Sequence, residues 1–322
     1  MRKLILAALL AGTGLAGHAQ PAADYPARPI KFVLISAAGS GGDTLARLLA
    51  EKMGPLLKGN FVIENRPGGG GSIAVDATAK APPDGYTITL GGATTHVLLP
   101  ASRPSLPYNA VKDFAYIGQV GTASIVLLAS NDLPANNLTE LLALANASPE
   151  GLQYASWGNG STGHFCGALI QLKKQAKTTH IPYKSVAQIQ TDLLGGHIKL
   201  CWVDMVSGTP MVKSGRVKAI ATCPERSPSL PGVNSIQDEG IYLGGRSMGS
   251  WGLYAPAGTP KLIVDKLSAA LRSTLDMPEV KARMMELGTQ AAFIPGDEYS
   301  VMTAKDIEYW KQIAKDANIR NE

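Results

Sequence analysis

Ile30-Lys31-Phe32-Val33-Leu34-Ile35-Ser36-Ala37-Ala38-Gly39-Ser40-Gly41-Gly42-Asp43 is the stretch whose reading decides the fold. Its first six residues are almost continuously apolar, the pattern of a strand covered on both faces. The next seven are small, glycine-rich and hydroxylated. Asp43 then opens a segment in which Leu45, Leu48, Leu49, Met53 and Leu56 keep the i, i+3, i+4 spacing of a helix, with Asp43 as its expected cap. A strand that runs through a short loop into a helix is the repeating unit of an open α/β sheet. In such sheets ligands bind in the loops beyond the carboxyl ends of the strands.

Outward from this unit the pattern repeats. Phe61-Val62-Ile63-Glu64 reads as a second strand, followed by Arg66-Pro67-Gly68-Gly69-Gly70-Gly71 and a small-residue helix over 72–81. Pro82-Pro83-Asp84-Gly85 marks a turn before a strand over 86–90, which ends at Gly91-Gly92. Further strands are expected at 115–120, 124–129, 152–156, 179–183, 198–203, 217–221 and 251–255, with helical patterns between most of them. Two helices, over 260–275 and 297–315, finish the chain. The alternation predicts an α/β protein of mostly parallel sheets flanked by helices. At 322 residues the chain exceeds what one core usually supports, so two domains are expected.

Composition narrows the function classes. A chain that is 45% hydrophobic is not globally disordered. Thirty Lys and Arg against 25 Asp and Glu leave a mild +5, and the longest basic run is Lys173-Lys174, so no nucleic-acid partner is expected. At the N-terminus Met1-Arg2-Lys3 precedes an apolar run from Leu4 to Leu10, and Gly17-His18-Ala19 places small residues before Gln20. Residues 1–19 therefore read as a cleaved signal peptide, too short for the ~20 apolar residues that span a bilayer. No later window is long and apolar enough to span, so the mature protein is expected to be exported to the periplasm. The three cysteines, Cys166, Cys201 and Cys223, are too few for a disulfide framework. A Cys201–Cys223 bridge between two strands is conceivable, but buried free thiols are expected. His96, His164, His180 and His197 lack metal-ligand spacing, and neither a metal nor a cofactor is expected.

Three strand-end loops are rich in Gly, Ser and Thr: residues 36–42, 91–96 and 157–164. Each would expose backbone N–H groups at a helix N-terminus, where the helix dipole favours an anion. Any one could be a tight turn and nothing more; three together point to a carboxylate or phosphate. Gly158-Asn159-Gly160-Ser161-Thr162-Gly163 matches the dinucleotide pattern, but the next strand ends at Tyr183-Lys184 without the acid a ribose needs. Gly245-Arg246-Ser247-Met248-Gly249 matches a hydrolase nucleophile elbow, but no His follows position 197 to complete a triad. Ser161 and His164 are close enough in sequence to suggest a catalytic pair, though a His in a first helical turn more often packs or binds. No enzyme activity is expected.

Across some 290 residues the chain resembles the TctC/Bug family of periplasmic solute-binding proteins, which serve tripartite tricarboxylate transporters. The blocks that carry the resemblance begin with Tyr25-Pro26-Ala27-Arg28-Pro29-Ile30, Ala37-Ala38-Gly39 through Asp43, and Glu64-Asn65-Arg66-Pro67-Gly68. They continue with Pro83-Asp84-Gly85-Tyr86-Thr87, Gly158-Asn159-Gly160-Ser161, Pro182-Tyr183-Lys184 and Asp192-Leu193-Leu194-Gly195-Gly196. Arg226-Ser227-Pro228 and Ala255-Pro256-Ala257-Gly258-Thr259-Pro260 complete the set.

The resemblance implies a two-lobed, hinge-closing receptor of the type II periplasmic binding protein fold, each lobe a mostly parallel sheet flanked by helices. Lobe 1 would comprise residues 24–125 plus 251–322, lobe 2 residues 126–250, with the chain crossing near 120–124 and 250–252. The implied ligand is a carboxylate: di- or tricarboxylate, or aromatic. It would lie between the lobes and pass to the membrane permease subunits of the transporter; a membrane sensor kinase is the alternative recipient. A monomer is expected.

Carried onto this sequence, lobe 1 would hold the ligand through Ser36, Ala37, Ala38, Gly39, Ser40, Gly41 and Asp43, and through Gly91, Gly92, Ala93, Thr94 and Thr95. Lobe 2 would supply Ser156, Asn159, Gly160, Ser161, Thr162, His164 and Asp204. Asp204 would either accept from an amino, hydroxyl or water group or cap a helix. The chain departs from the family's pattern at Ile35-Ser36, where Pro-Phe is common; a serine there frees volume and adds a donor. Arg246 is a candidate partner for a second carboxylate or a solvent-facing loop residue, and Trp157 and Trp251 either stack on a ligand or pack.

Overall fold

The computed structural model describes residues 24–243 and 248–319. The signal-peptide expectation, Arg246 and Ser247 therefore lie outside the described residues. In chain order the first elements are β1 (Ile30–Leu34), α1 (Gly41–Leu57), β2 (Phe61–Asn65), α2 (Ser72–Ala79) and β3 (Thr87–Gly92). A π-helical turn (Thr94–Leu98) leads into α3 (Leu99–Ser102), then β4 (Phe114–Ala123) and β5 (Ile125–Ala129). The middle holds α4 (Leu138–Ala147), β6 (Leu152–Ser156), α5 (Thr162–Lys174), β7 (Thr178–Pro182) and α6 (Val186–Leu194). After these come β8 (Leu200–Asp204), α7 (Met205–Lys213), β9 (Lys218–Cys223) and β10 (Ser250–Pro256). The chain closes with α8 (Lys261–Asp276), α9 (Pro278–Glu286), β11 (Thr289–Pro295) and α10 (Gly296–Asp316).

Two sheets form. The first has the order β11-β4-β10-β3-β1-β2, the second β7-β6-β8-β5-β9. Around β1 the first sheet is parallel, with Ile30 opposite Phe61 and Lys31 opposite Thr87. β10 enters antiparallel between β3 and β4, and β11 adds antiparallel to β4. In the second sheet β6 runs parallel to β7 and β8, while β5 is antiparallel to both β8 and β9. Each sheet thus has a parallel core with antiparallel strands added, which strand–helix alternation alone does not foresee. Ser124 is the single residue between β4, in the first sheet, and β5, in the second.

Alternating residues show why the strands are apolar throughout. On β1, Ile30, Phe32 and Leu34 pack with Leu45, Leu49 and Met53 of α1 and Leu267 and Leu271 of α8. On β5, Val126 and Leu128 meet Ile189 and Leu193 of α6, while Ile125 and Leu127 turn to a core holding Phe165 and Leu169 of α5. That core also contains Tyr254 of β10 and Trp310 of α10, and Phe165 meets Trp310 edge-on at 5.7 Å. The C-terminal helix therefore packs against a helix of the second sheet.

Three local expectations are corrected. The cap of α1 is Ser40, whose side chain accepts from the Asp43 N–H; Asp43 sits inside the first turn and reaches back to accept from the Gly39 N–H at 2.9 Å. This reciprocal arrangement resembles a capping box, which the Ser-x-x-Asp spacing allows. Near the C-terminus, α9 and β11 were not expected; β11 is a half-exposed edge strand without a strong apolar run. The cysteines are not all free: Cys166 and Cys223 form a disulfide, and Cys201 is the buried thiol. Cys201 and Cys223 cannot meet because β5 lies between their strands, with Leu128 opposite Cys201 and Ile125 opposite Cys223.

Candidate functional site

A cavity of about 280 Å³ lies where the two sheets face each other. From the first sheet it is walled by residues 35–42, by Pro67, Gly68, Gly70 and Gly71, by Gly92, Ala93 and Thr94, and by 248–251. The second sheet supplies Trp157, Thr162, residues 184–187, Gln190 and residues 204–207. Ala123, Ser124 and Ile125, where the chain passes between sheets, complete one side with Leu287 and Thr289.

Helix starts dominate this wall. Gly41 opens α1, Gly71 immediately precedes α2, and Ala93 precedes the π-helical turn. From the second sheet, Thr162, Val186 and Met205 open α5, α6 and α7. Six helix starts thus face one cavity and bring the positive ends of their dipoles, although some first-turn N–H groups are already taken: Asp43 by Ser40, Ser72 by Gly69, Thr162 by Thr94, Gln188 by Ser185 and Ser207 by Asp204. Glycine is required where backbones come this close. At Gly71, φ is +95° and a Cβ would stand 2.6 Å from the Thr95 methyl. At Gly41 a Cβ would stand 2.8 Å from Asp204 Oδ1 and 2.9 Å from a Val206 methyl, so the first turn of α1 touches the second sheet's wall.

Side chains in the wall divide into satisfied and waiting groups. The Ser36 hydroxyl is buried without a hydrogen-bond partner. Thr94 and Thr162 join the two sheets through their hydroxyls at 3.0 Å, and Thr162 also donates to the Met248 carbonyl at 3.2 Å. Asp204 caps α7, accepting from the Ser207 N–H at 2.9 Å and the Ser207 hydroxyl at 3.0 Å. Burial raises its pKa, and the Ser207 bonds only partly oppose that. It is both a cap and a cleft residue.

Of the residues expected at the site, Ser36, Ala37, Ala38, Gly39, Ser40, Gly41, Gly92, Ala93, Thr94, Thr162 and Asp204 line the cavity. The others lie outside its wall. Asp43 is turned into its own loop, bonded to Gly39, Arg47 and Asn65; burial works to raise its pKa, but these three donors outweigh it and hold it low. Gly91 is still within β3, and the Thr95 hydroxyl folds back on Gly92 and His96. Ser156, Asn159, Gly160, Ser161 and His164 belong to a loop that satisfies itself. The Ser156 hydroxyl contacts Ser161 at 3.0 Å and His180 Nε2 at 2.7 Å, Ser161 caps α5, and the Gly160 N–H donates to His164 Nδ1 at 3.1 Å. His164 stacks on His180 at 3.9 Å. Burial lowers the pKa of both, His164 to about 4 and His180 to about 3, the latter with a further push from His164. Neither Ser161 nor His164 is positioned as a nucleophile and base. Among the described residues no cluster of His, Cys, Asp and Glu could hold a metal ion.

Sequence reasoning missed Pro67, Gly68, Gly70 and Gly71 as wall, although the glycine run was visible. Residues 184–187 and 205–207 were missed as well; only their place at helix starts after strands marked them.

Comparison with known proteins fits this geometry. The profile of the tripartite tricarboxylate transporter family receptors, TctC, matches residues 45–319. A protein from the TAR-I ttuE-ttuC′ intergenic region of Agrobacterium vitis is 34% identical over 90% of this chain and 83% of that one. The periplasmic binding protein BugD superposes with a TM-score of 0.84 at 32% identity, covering 92% of this chain and 100% of BugD. MatC from Rhodopseudomonas palustris, with bound malate, gives 0.80 at 30% identity, covering 90% and 99%. Two sheets facing a cavity rimmed by helix starts suit a binding protein. The chain belongs to the TctC family of tripartite tricarboxylate transporter receptors, periplasmic solute-binding proteins that are not enzymes.

Proposed function

We propose that this receptor binds a carboxylate between its two sheets and delivers it to the membrane permease of a tripartite transporter. The convergence of six helix N-termini on one cavity carries the reading, because anions are held there by backbone donors without a cationic side chain. Ser36, with a buried hydroxyl that lacks a partner, is a further donor at the same place. The malate bound to MatC supports the same ligand class. In this reading lobe 1 is residues 24–125 plus 251–322 and lobe 2 is 126–250, with hinges at Ser124 and at the start of β10. Closure adds the contacts of α5, α6 and α7 to a ligand first held by α1, α2 and the π-helical turn. Only a ligand that completes both sets of contacts stabilises the closed form, so loaded and empty receptors differ in shape. The Cys166–Cys223 disulfide suits an oxidising compartment and, with residues 1–19 as a signal peptide, supports export.

A thermal-shift screen against a carboxylate panel tests the reading. A true ligand at 100 times its Kd stabilises the fold by about 2.7 kcal/mol. If no carboxylate raises the melting temperature, the reading fails.

A further inference from the structure

We infer that the cleft is built for an aromatic monocarboxylate bearing a hydroxyl or amino group on its ring, rather than for an aliphatic di- or tricarboxylate. The inference rests on the carboxylate reading above and names the ligand within it. Its first support is the character of the wall. Away from the helix starts the cavity is faced by Ile35, Trp157, Trp251 and Leu287, and at the starts of α6 and α7 the apolar Val186 and Val206 join them. The two indoles arrive from different sheets: Trp157 directly follows β6, and Trp251 lies on β10. Both are only partly buried, unlike Trp202 and Trp310, which are enclosed in the core. Indoles contributed from both sheets suit a flat ring, through offset or edge-on packing.

Charge provides the second support. Among the described residues, Lys184 and Asp204 are the charged side chains in the wall. Lys184 is exposed, where an ion pair contributes little. Asp204 offers acceptor oxygens, not the cationic donor that a second ligand carboxylate requires. Its Oδ1 lies 2.8 Å from where a Cβ on Gly41 would stand, so it projects across the cleft toward the first turn of α1. The two Ser207 bonds leave acceptor capacity on its oxygens. A hydroxyl or amino group there gains an acceptor, whereas a second carboxylate finds no cationic partner in the wall other than the exposed Lys184.

Isothermal titration of the mature receptor with 3-hydroxybenzoate, 4-hydroxybenzoate, benzoate, malate, adipate and citrate decides the matter. One of the hydroxybenzoates should bind at least about tenfold more tightly than benzoate and than every aliphatic acid, a hydrogen bond to a charged acceptor being worth that factor. It should also quench tryptophan emission, and Trp251→Leu should weaken it more than it weakens malate. In Asp204→Asn, which keeps a capping residue and so the fold, the hydroxyl advantage should shrink and malate should bind more tightly than in the wild type. Tighter binding of malate, adipate or citrate than of all three aromatics overturns the inference and leaves the carboxylate reading standing. Benzoate equal to both hydroxybenzoates overturns the role given to Asp204. No binding by any of the six overturns this inference and the carboxylate reading together.

Discussion

Two glycine-rich, serine-bearing loops at strand ends have different fates in this molecule. Residues 36–42, after β1, all line the cavity and leave the Ser36 hydroxyl without a partner, although the Gly39 N–H goes to Asp43 and Ser40 to Ala37 and the α1 cap. Residues 157–164, after β6, reach the cavity only through Trp157 and Thr162; the Ser161 hydroxyl turns to Ser156, which meets His180 of the stacked histidine pair, and the Thr162 hydroxyl bonds Thr94 and the Met248 carbonyl. Glycine and serine at a strand end therefore mark a loop that can approach a ligand, not one that does. The difference lies in whether neighbouring side chains already satisfy the donors. It follows that changes in the β6–α5 region should alter stability and leave affinity alone, while changes in the β1–α1 region should do the reverse.

Acid should break the self-satisfied region first. His164 and His180, and with them the more deeply buried His96 of the π-helical turn (about 3), have folded pKa values far below the unfolded value near 6.5. Below pH 6.5 the unfolded chain binds more protons than the native one, so stability falls as pH drops and levels off only near pH 3–4. Each histidine contributes up to about 1.4 kcal/mol per pH unit within that window. Denaturant titrations at pH 7, 6 and 5 measure the slope, and a flat profile would refute the assignment of neutral buried rings.

Next in size is the disulfide that ties α5 to β9 behind the same loop. Its 57-residue separation predicts a loss of about 4 kcal/mol when Cys166→Ala and Cys223→Ala are combined, read as a lower denaturant midpoint with ligand affinity unchanged. A shift in affinity instead would mean that the β6–α5 region reaches the ligand after all.

On the other side of the comparison, Gly41→Val places a branched side chain against Asp204 and Val206. Overpacking at such a contact costs about 1–3 kcal/mol, here charged against closure, so affinity should drop roughly 10- to 100-fold with the melting temperature of the empty protein little changed. Small-angle scattering with ligand would show whether the variant stays open.

The smallest effects give the sharpest contrast. Ser36→Ala should weaken ligand binding by about 1 kcal/mol without lowering stability, since the hydroxyl has no partner to lose. Ser161→Ala should cost about 1 kcal/mol of stability through the lost cap of α5 and leave affinity unchanged. Calorimetry and thermal melts on the pair suffice; exchanged outcomes would reverse the roles of the two loops.

Much of the fold was legible from particular residues. Ile30, Phe32, Val33 and Leu34, broken only by the exposed Lys31, marked a strand covered on both sides, and Leu45, Leu49 and Met53 marked a helix's inner face. β11 was not legible, because an edge strand with one face open needs no strong apolar run. Within the site, the loops after β1 and β3 were legible as glycine clusters. The starts of α6 and α7 carry ordinary residues such as Val186 and Met205, which only the cavity singles out.

Local periodicity and loop chemistry, both written within a dozen residues, were enough for the sequence to determine the alternation of strands and helices and the supply of anion-seeking N–H groups. Tertiary structure decided the rest. It set β10 between β3 and β4, put β5 between Cys201 and Cys223 so that Cys166 took the bond, and turned one glycine loop toward the cavity and the other in on itself. These outcomes depend on which distant surfaces meet, and burial energy is non-directional, so no short stretch of sequence records them.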